Sequence, residues 1–127
     1  MTAAIEVANL HKEFSLGFGV RKRVALDQMT FRVEPGEVFG FLGPNGAGKT
    51  TSIKILTSLL RADSGTATIF GKSPAEPSAR RRLGFLPESP TFYDHLTGRE
   101  FLHFCGSLCD LSGKALKPVG QGLRLGA

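Results

Sequence analysis

The chain has 127 residues, 41% of them apolar, and a formal net charge of +5. That length fits one domain with a modest core, and no run reaches the roughly 20 apolar residues of a membrane span. Residues 1–10 carry Glu6 and no basic start ahead of an apolar stretch, so they do not read as a secretory leader. Cys105 and Cys109 are the only cysteines. They fall four apart in a predicted helix with no metal-ligating neighbours, and read as small packing residues in a reduced setting.

In chain order, Ile5-Glu6-Val7-Ala8-Asn9-Leu10 alternates apolar and polar as a half-buried strand does. His11-Lys12-Glu13-Phe14 follows, then a loop over 15–20 marked by Gly17 and Gly19. Val24-Ala25-Leu26-Asp27 and Met29-Thr30-Phe31-Arg32-Val33 read as a second strand with a kink or turn between them, closed by the turn Glu34-Pro35-Gly36-Glu37. Val38-Phe39-Gly40-Phe41-Leu42 is a continuous apolar run, the pattern of a buried parallel strand. After a glycine-rich stretch, Ile53, Leu56, Leu59 and Leu60 share helical spacing over 52–60. Thr66-Ala67-Thr68-Ile69-Phe70 is β-branched and alternating, hence a strand. A helical turn over 78–82 and a short buried strand, Leu83-Gly84-Phe85-Leu86, stopped by Pro87, come next. Thr97-Gly98-Arg99-Glu100 has capping-box spacing and opens a helix whose apolar face is Phe101, Leu102, Phe104, Cys105, Leu108 and Cys109. From 111 to 127 the glycines and Pro118 break both periodicities, and a poorly ordered tail is expected after a domain spanning 1–110.

The chemistry concentrates in Gly43-Pro44-Asn45-Gly46-Ala47-Gly48-Lys49-Thr50-Thr51, which has the spacing of a phosphate-binding loop. Glycines let backbone N–H groups close around an anion. Lys49 supplies a cation for β- and γ-phosphates, and the Thr50 hydroxyl can ligate Mg²⁺. A following helix turns its positive dipole end to the phosphates. The apolar run before the loop and the helical pattern after it give the strand–loop–helix order that the motif requires. The basic clusters Arg21-Lys22-Arg23 and Arg80-Arg81-Arg82 lack interleaved aromatics and any nucleic-acid motif, so no nucleic acid is expected as a partner. They read as solvated faces, with part of the charge available to an anionic nucleotide.

Taken together, Leu10-His11-Lys12-Glu13-Phe14, Ala25-Leu26-Asp27, Val33-Glu34-Pro35-Gly36-Glu37, the 43–51 loop, Asp63-Ser64-Gly65-Thr66, Leu83-Gly84-Phe85-Leu86-Pro87-Glu88 and Tyr93-Asp94-His95-Leu96-Thr97-Gly98-Arg99-Glu100 resemble the nucleotide-binding domain of ATP-binding cassette (ABC) proteins, of the exporter-type branch. The resemblance runs from about residue 5 to 110. It implies a partial α/β P-loop NTPase fold, with an N-terminal antiparallel β-subdomain and the start of a helical subdomain. It implies ATP and Mg²⁺ as ligands, a transmembrane permease subunit and a second ABC ATPase domain as partners, and a cytoplasmic position at the membrane face. Phe14 resembles the aromatic that stacks on adenine. Glu88 stands where the family usually has a glutamine that touches Mg²⁺ and the attacking water, so Thr50 and Glu88 are the metal candidates. Gly43, Asn45, Gly46, Ala47, Gly48, Lys49, Thr50 and Thr51 form the nucleotide cradle.

The resemblance has gaps. No four apolar residues followed by Asp-Glu, the Walker B pattern, occur after the loop. Leu111-Ser112-Gly113-Lys114 imitates the signature motif but lies too near Glu88 and has lysine for its second glycine. His11, His95 and His103 all precede the place of the switch histidine. The expectation is the ATP-binding portion of a transporter ATPase subunit, truncated and without hydrolytic competence alone. A nucleotide-binding relic and a non-transport ABC ATPase are the alternatives. The short span from Thr51 to Glu88 argues against the insertion-bearing non-transport type.

Overall fold

Backbone sterics and the position of a few left-handed residues set the architecture. In the computed structural model, which describes residues 2–17 and 21–108, the elements are β1 (Ile5–Leu16), β2 (Arg21–Val33), α1 (Lys49–Leu56), β3 (Ser64–Ile69), α2 (Pro77–Arg80) and α3 (Gly98–Leu108). The chain divides into two units, Met1–Phe85 and Leu86–Ala127. The expected tail over 111–127 and Cys109 lie outside the described residues.

In the first unit the three strands form an antiparallel sheet in the order β2-β1-β3. Strict alternation along β1 would bury Ile5, Val7 and Asn9. Instead Val7 and Leu10, three apart, are the buried pair, each 1% exposed. Asn9 causes the change of phase. It takes a left-handed conformation, φ 50°, and the β1–β2 register slips between Val7 and Leu10, the signature of a β-bulge. Asn tolerates that conformation better than most residues, and its N–H donates to Thr30 Oγ1 at 2.9 Å. The predicted kink in β2 is at Gln28, φ 46°. Gly65 of β3 crosses close to the bulge: a Cβ there would lie 2.2 Å from the Asn9 carbonyl oxygen. Val7, Leu10 and Leu26 from the hairpin, Ile69 from β3, Ile55 and Leu56 from α1, and Ala79 from α2 make the core.

The structure departs from the sequence expectations in four places. β1 extends to Leu16, so the first two residues of the expected loop over 15–20 are strand and Gly17 is a turn, while 18–20 lie outside the described residues; the basic run Arg21-Lys22-Arg23 belongs to β2. Helix α1 buries Ser52, Ile55 and Leu56; of the expected stripe, Leu56 is buried, Ile53 is half-buried, Leu60 packs against the core, and Leu59 is left exposed. Ser58 turns left-handed, φ 61°, and the N–H groups of Leu59 and Leu60 both return to the Lys54 carbonyl. The helix therefore closes on itself before Leu59 can join its face. The run 38–42 forms no strand: Val38 is 99% and Leu42 93% exposed. Residues 83–86 form none either, and Leu86 is 83% exposed. Buried parallel strands depend on neighbours along both edges, and among the described residues neither run has one. Phe39 and Phe41 instead lie against Phe31 of β2, ring centroids 5.3 and 5.4 Å away.

In the second unit the capping box forms as expected. Thr97 N–H donates to Glu100 Oε2 at 2.8 Å, and Glu100 N–H to Thr97 Oγ1 at 3.3 Å. Phe92 and Tyr93 pack their rings against Phe101, and Tyr93 also meets Phe104. Along α3, Phe101, Leu102 and Cys105 are half-buried while Phe104 and Leu108 are exposed, a narrower apolar face than the spacing predicts. Among the described residues no helix is long and apolar enough to cross a membrane.

Candidate functional site: the glycine-rich turn and the hairpin beside it

The turn over 43–48 joins the β2 side of the sheet to α1. Its fixed end is Gly48, buried and left-handed, φ 84°. A Cβ at Gly48 would lie 2.4 Å from Leu26 Cδ2 and 2.6 Å from the Ala25 carbonyl oxygen. The loop is thus seated directly on the buried centre of β2, which only a residue without a side chain allows. Ser52, 0% exposed, reinforces the seat: its Oγ lies 3.0 Å from the Gly48 carbonyl oxygen and 3.2 Å from Met29 Sδ. Residues 43–47 are exposed.

The backbone of this stretch is short of acceptors. Ala47 N–H reaches the Pro44 carbonyl at 3.1 Å and Ser52 N–H reaches Gly48 at 2.9 Å. Among the described residues no acceptor meets the N–H groups of Gly46, Gly48, Lys49, Thr50 and Thr51. The first turn of any helix leaves such donors open; here a left-handed glycine turn adds more. Lys49 folds back over the loop, its Nζ donating to the carbonyls of Gly43 and Pro44, the latter at 2.8 Å. Thr50 is exposed and Thr51 half-buried in the first turn of α1. Open amide donors, one ammonium and a free hydroxyl suit an anion with several oxygens and a hard cation beside it.

The hairpin supplies the flank. Phe14 is 38% exposed on β1, with Lys12 Nζ 5.8 Å from its ring centre. Next to it runs a chain of charges. Asp63 accepts the Glu13 backbone N–H at 2.7 Å and Lys12 Nζ at 2.6 Å. The first of these bonds and then the second hold its carboxyl below the usual carboxylate range. Glu13 is lowered by its bond to Lys22, 3.1 Å away, and then by His11. His11 Nδ1 also stands 3.5 Å from Asp27. These contacts tie β1 to β2 and to the start of β3. Sequence patterning gave Asp63 no such role, because its partners are some 50 positions away. Glu88 is exposed and belongs to the second unit; the structure does not place it with Thr50 in one body. Among the described residues no cluster of His, Cys, Asp and Glu has the makings of a metal site on its own.

A glycine-rich turn seated on the edge strand β2 and opening a helix has the loop–helix half of the phosphate-binding arrangement. Comparison with known proteins carries this further. The ABC transporter family matches residues 26–123, and the chain belongs to that family. An ABC transporter ATP-binding protein of Synechocystis is 40% identical across 89% of this chain and 36% of its own length. A fluoroquinolones export ATP-binding protein of Mycobacterium tuberculosis is 49% identical across 66% of this chain and 29% of its own. A solved ATP-binding subunit of an ABC transporter superposes with a TM-score of 0.73 at 32% identity, covering 87% of this chain and 45% of that one. The chain spans about a third of the length of the curated relatives it matches.

Proposed function

We propose that these residues are the ATP- and Mg²⁺-binding portion of an ABC transporter ATPase subunit that serves export. The carrying observation is the set of unclaimed N–H groups of Gly46, Gly48, Lys49, Thr50 and Thr51, with Lys49 folded back over the loop. In this reading Gly43, Asn45, Gly46, Ala47 and Gly48 wrap the phosphates. Lys49 leaves the Gly43 and Pro44 carbonyls for phosphate oxygens, a stronger charge-assisted partner. Thr50 and Thr51 complete the cradle, the Thr50 hydroxyl would hold the metal, and Phe14 stacks on the base. Mg²⁺, when bound, neutralises phosphate charge and orients the oxygens. The export assignment draws on relatives: besides the fluoroquinolones export protein, an SkfA peptide export ATP-binding protein of Bacillus subtilis is 36% identical over 79% of this chain.

Phosphoryl transfer also requires a second metal support and a group that orients water. These 127 residues hold no Walker B pattern, signature motif or switch histidine, so they bind nucleotide without turning it over. In this reading the working assembly includes a second ATPase domain and a permease subunit at the cytoplasmic membrane face. Equilibrium binding of Mg–ATP tests the reading. Lys49→Ala is expected to weaken binding about a hundredfold, the scale of losing a charged hydrogen-bond partner, with no ATP hydrolysis by either protein. Binding indifferent to Lys49→Ala overturns the cradle; Lys49-dependent hydrolysis by the 127 residues overturns the assignment of a non-hydrolytic portion.

A further inference from the structure

Residues facing each other across an antiparallel ladder project from the same side of the sheet, and neighbours along a strand project from opposite sides. From Glu13 to Leu16 the β1–β2 register is regular: Glu13 faces Val24, Phe14 faces Arg23, Ser15 faces Lys22 and Leu16 faces Arg21. The three consecutive basic residues are therefore sorted. Lys22 falls on the side of Ser15 and Glu13, and it does pair with Glu13, at 3.1 Å. Arg23 falls on the side of Phe14, where no carboxylate answers it. Among the described residues the Arg23 side chain has neither an ion pair nor a hydrogen bond. Its guanidinium nevertheless has a definite place: a Cβ on Gly46 would lie 3.3 Å from Arg23 Nη2. An exposed, unpaired guanidinium thus lies alongside the middle of the glycine-rich turn, two residues from open amide donors and on the strand position opposite the exposed aromatic.

We propose that Arg23 is a second phosphate-binding cation of this site, acting from the hairpin while Lys49 acts from the loop. This rests on the nucleotide reading of the 43–51 turn. Lys49 reaches the loop from the helix side and is held on the Gly43 and Pro44 carbonyls. Arg23 reaches it from the sheet side at Gly46. The two cations bracket the turn, and a polyphosphate seated there meets both. Because Arg23 shares its cross-strand position with Phe14, one rung of the hairpin supplies a ring face and a guanidinium to a single ligand. A planar guanidinium offers paired donors to phosphate oxygens, which an ammonium does not, so Arg23 is expected to matter more as the phosphate chain lengthens.

The test measures equilibrium binding of ATP, ADP and adenosine, and competition by inorganic triphosphate, to the full chain and to Arg23→Ala, Arg23→Lys and Lys49→Ala. Arg23 is exposed and unpaired, so these variants are expected to keep the far-ultraviolet circular dichroism of the parent. Arg23→Ala is expected to weaken ATP and inorganic triphosphate about tenfold, ADP less, and adenosine not at all, with a shallower dependence of ATP affinity on salt. Arg23→Lys is expected to recover part of the loss. Unchanged ATP and triphosphate affinity in Arg23→Ala, alongside a loss in Lys49→Ala, overturns the Arg23 role and leaves the cradle standing. An equal loss for adenosine overturns it as well, since the residue would then serve the base. If no nucleotide binds to any of the proteins, the cradle itself fails and Arg23 with it.

Discussion

Two stretches of similar apolar content end in opposite states. Residues 5–10 and 24–33 become part of a hairpin with Val7, Leu10 and Leu26 almost fully enclosed. Residues 38–42, richer in continuous apolar side chains, stay out of the sheet with Val38 and Leu42 in solvent. The hairpin finds its hydrogen-bond partner within one turn of chain and its third strand at 64–69. The 38–42 run has the composition of a parallel interior strand, and such a strand cannot satisfy its backbone by local pairing. Hydrophobicity states what a segment gains from burial; only topology decides whether anything is there to bury it.

Mutations sharpen that contrast. Leu10→Ala is expected to cost about 2–5 kcal/mol by opening a cavity at the centre of the sheet, read as a lower midpoint in urea unfolding. Asp63→Asn is expected to be milder and dependent on pH. The Asp63 carboxyl is held below its ordinary value in the folded chain, so its contribution is present above the unfolded carboxylate range and is lost as pH falls through the lowered folded value. The gap in unfolding midpoint between Asp63→Asn and its parent should therefore be open at neutral pH and close in acid. Leu42→Ala is expected to stay within about 0.5 kcal/mol of the parent; a loss comparable to that of Leu10→Ala would mean that 38–42 is buried in solution.

The sequence patterns that proved legible are those whose cause is local. The strand at 5–10, the kink near Gln28, the Thr97–Glu100 box and the glycine-rich turn opening a helix each depend on neighbours within a few residues. What escaped depends on distant partners or on single backbone angles. Asn9 resets the phase of β1, so Leu10 is buried where simple alternation places Asn9. Ser58 ends α1 before Leu59 can pack. The 83–86 run, like 38–42, reads as a strand and is none. For the proposed site, the motif and the resemblance point to the loop residues and Phe14, and neither points to Arg23. Its place beside Gly46 follows from hairpin register, and the bulges in β1 shift that register in a way no periodicity announces.

The collision that any side chain at position 48 would make with Leu26 and Ala25 divides the turn into an anchored heel and a free lip. The heel is welded to the least exposed part of β2, while 43–47 stand in solvent. Any reshaping of the turn is thus confined to about five residues, and a shorter adjustable segment loses less entropy on closing. The same weld makes the sheet a silent stakeholder in whatever the lip encloses, since a guest that tightens the turn also holds β2 in place.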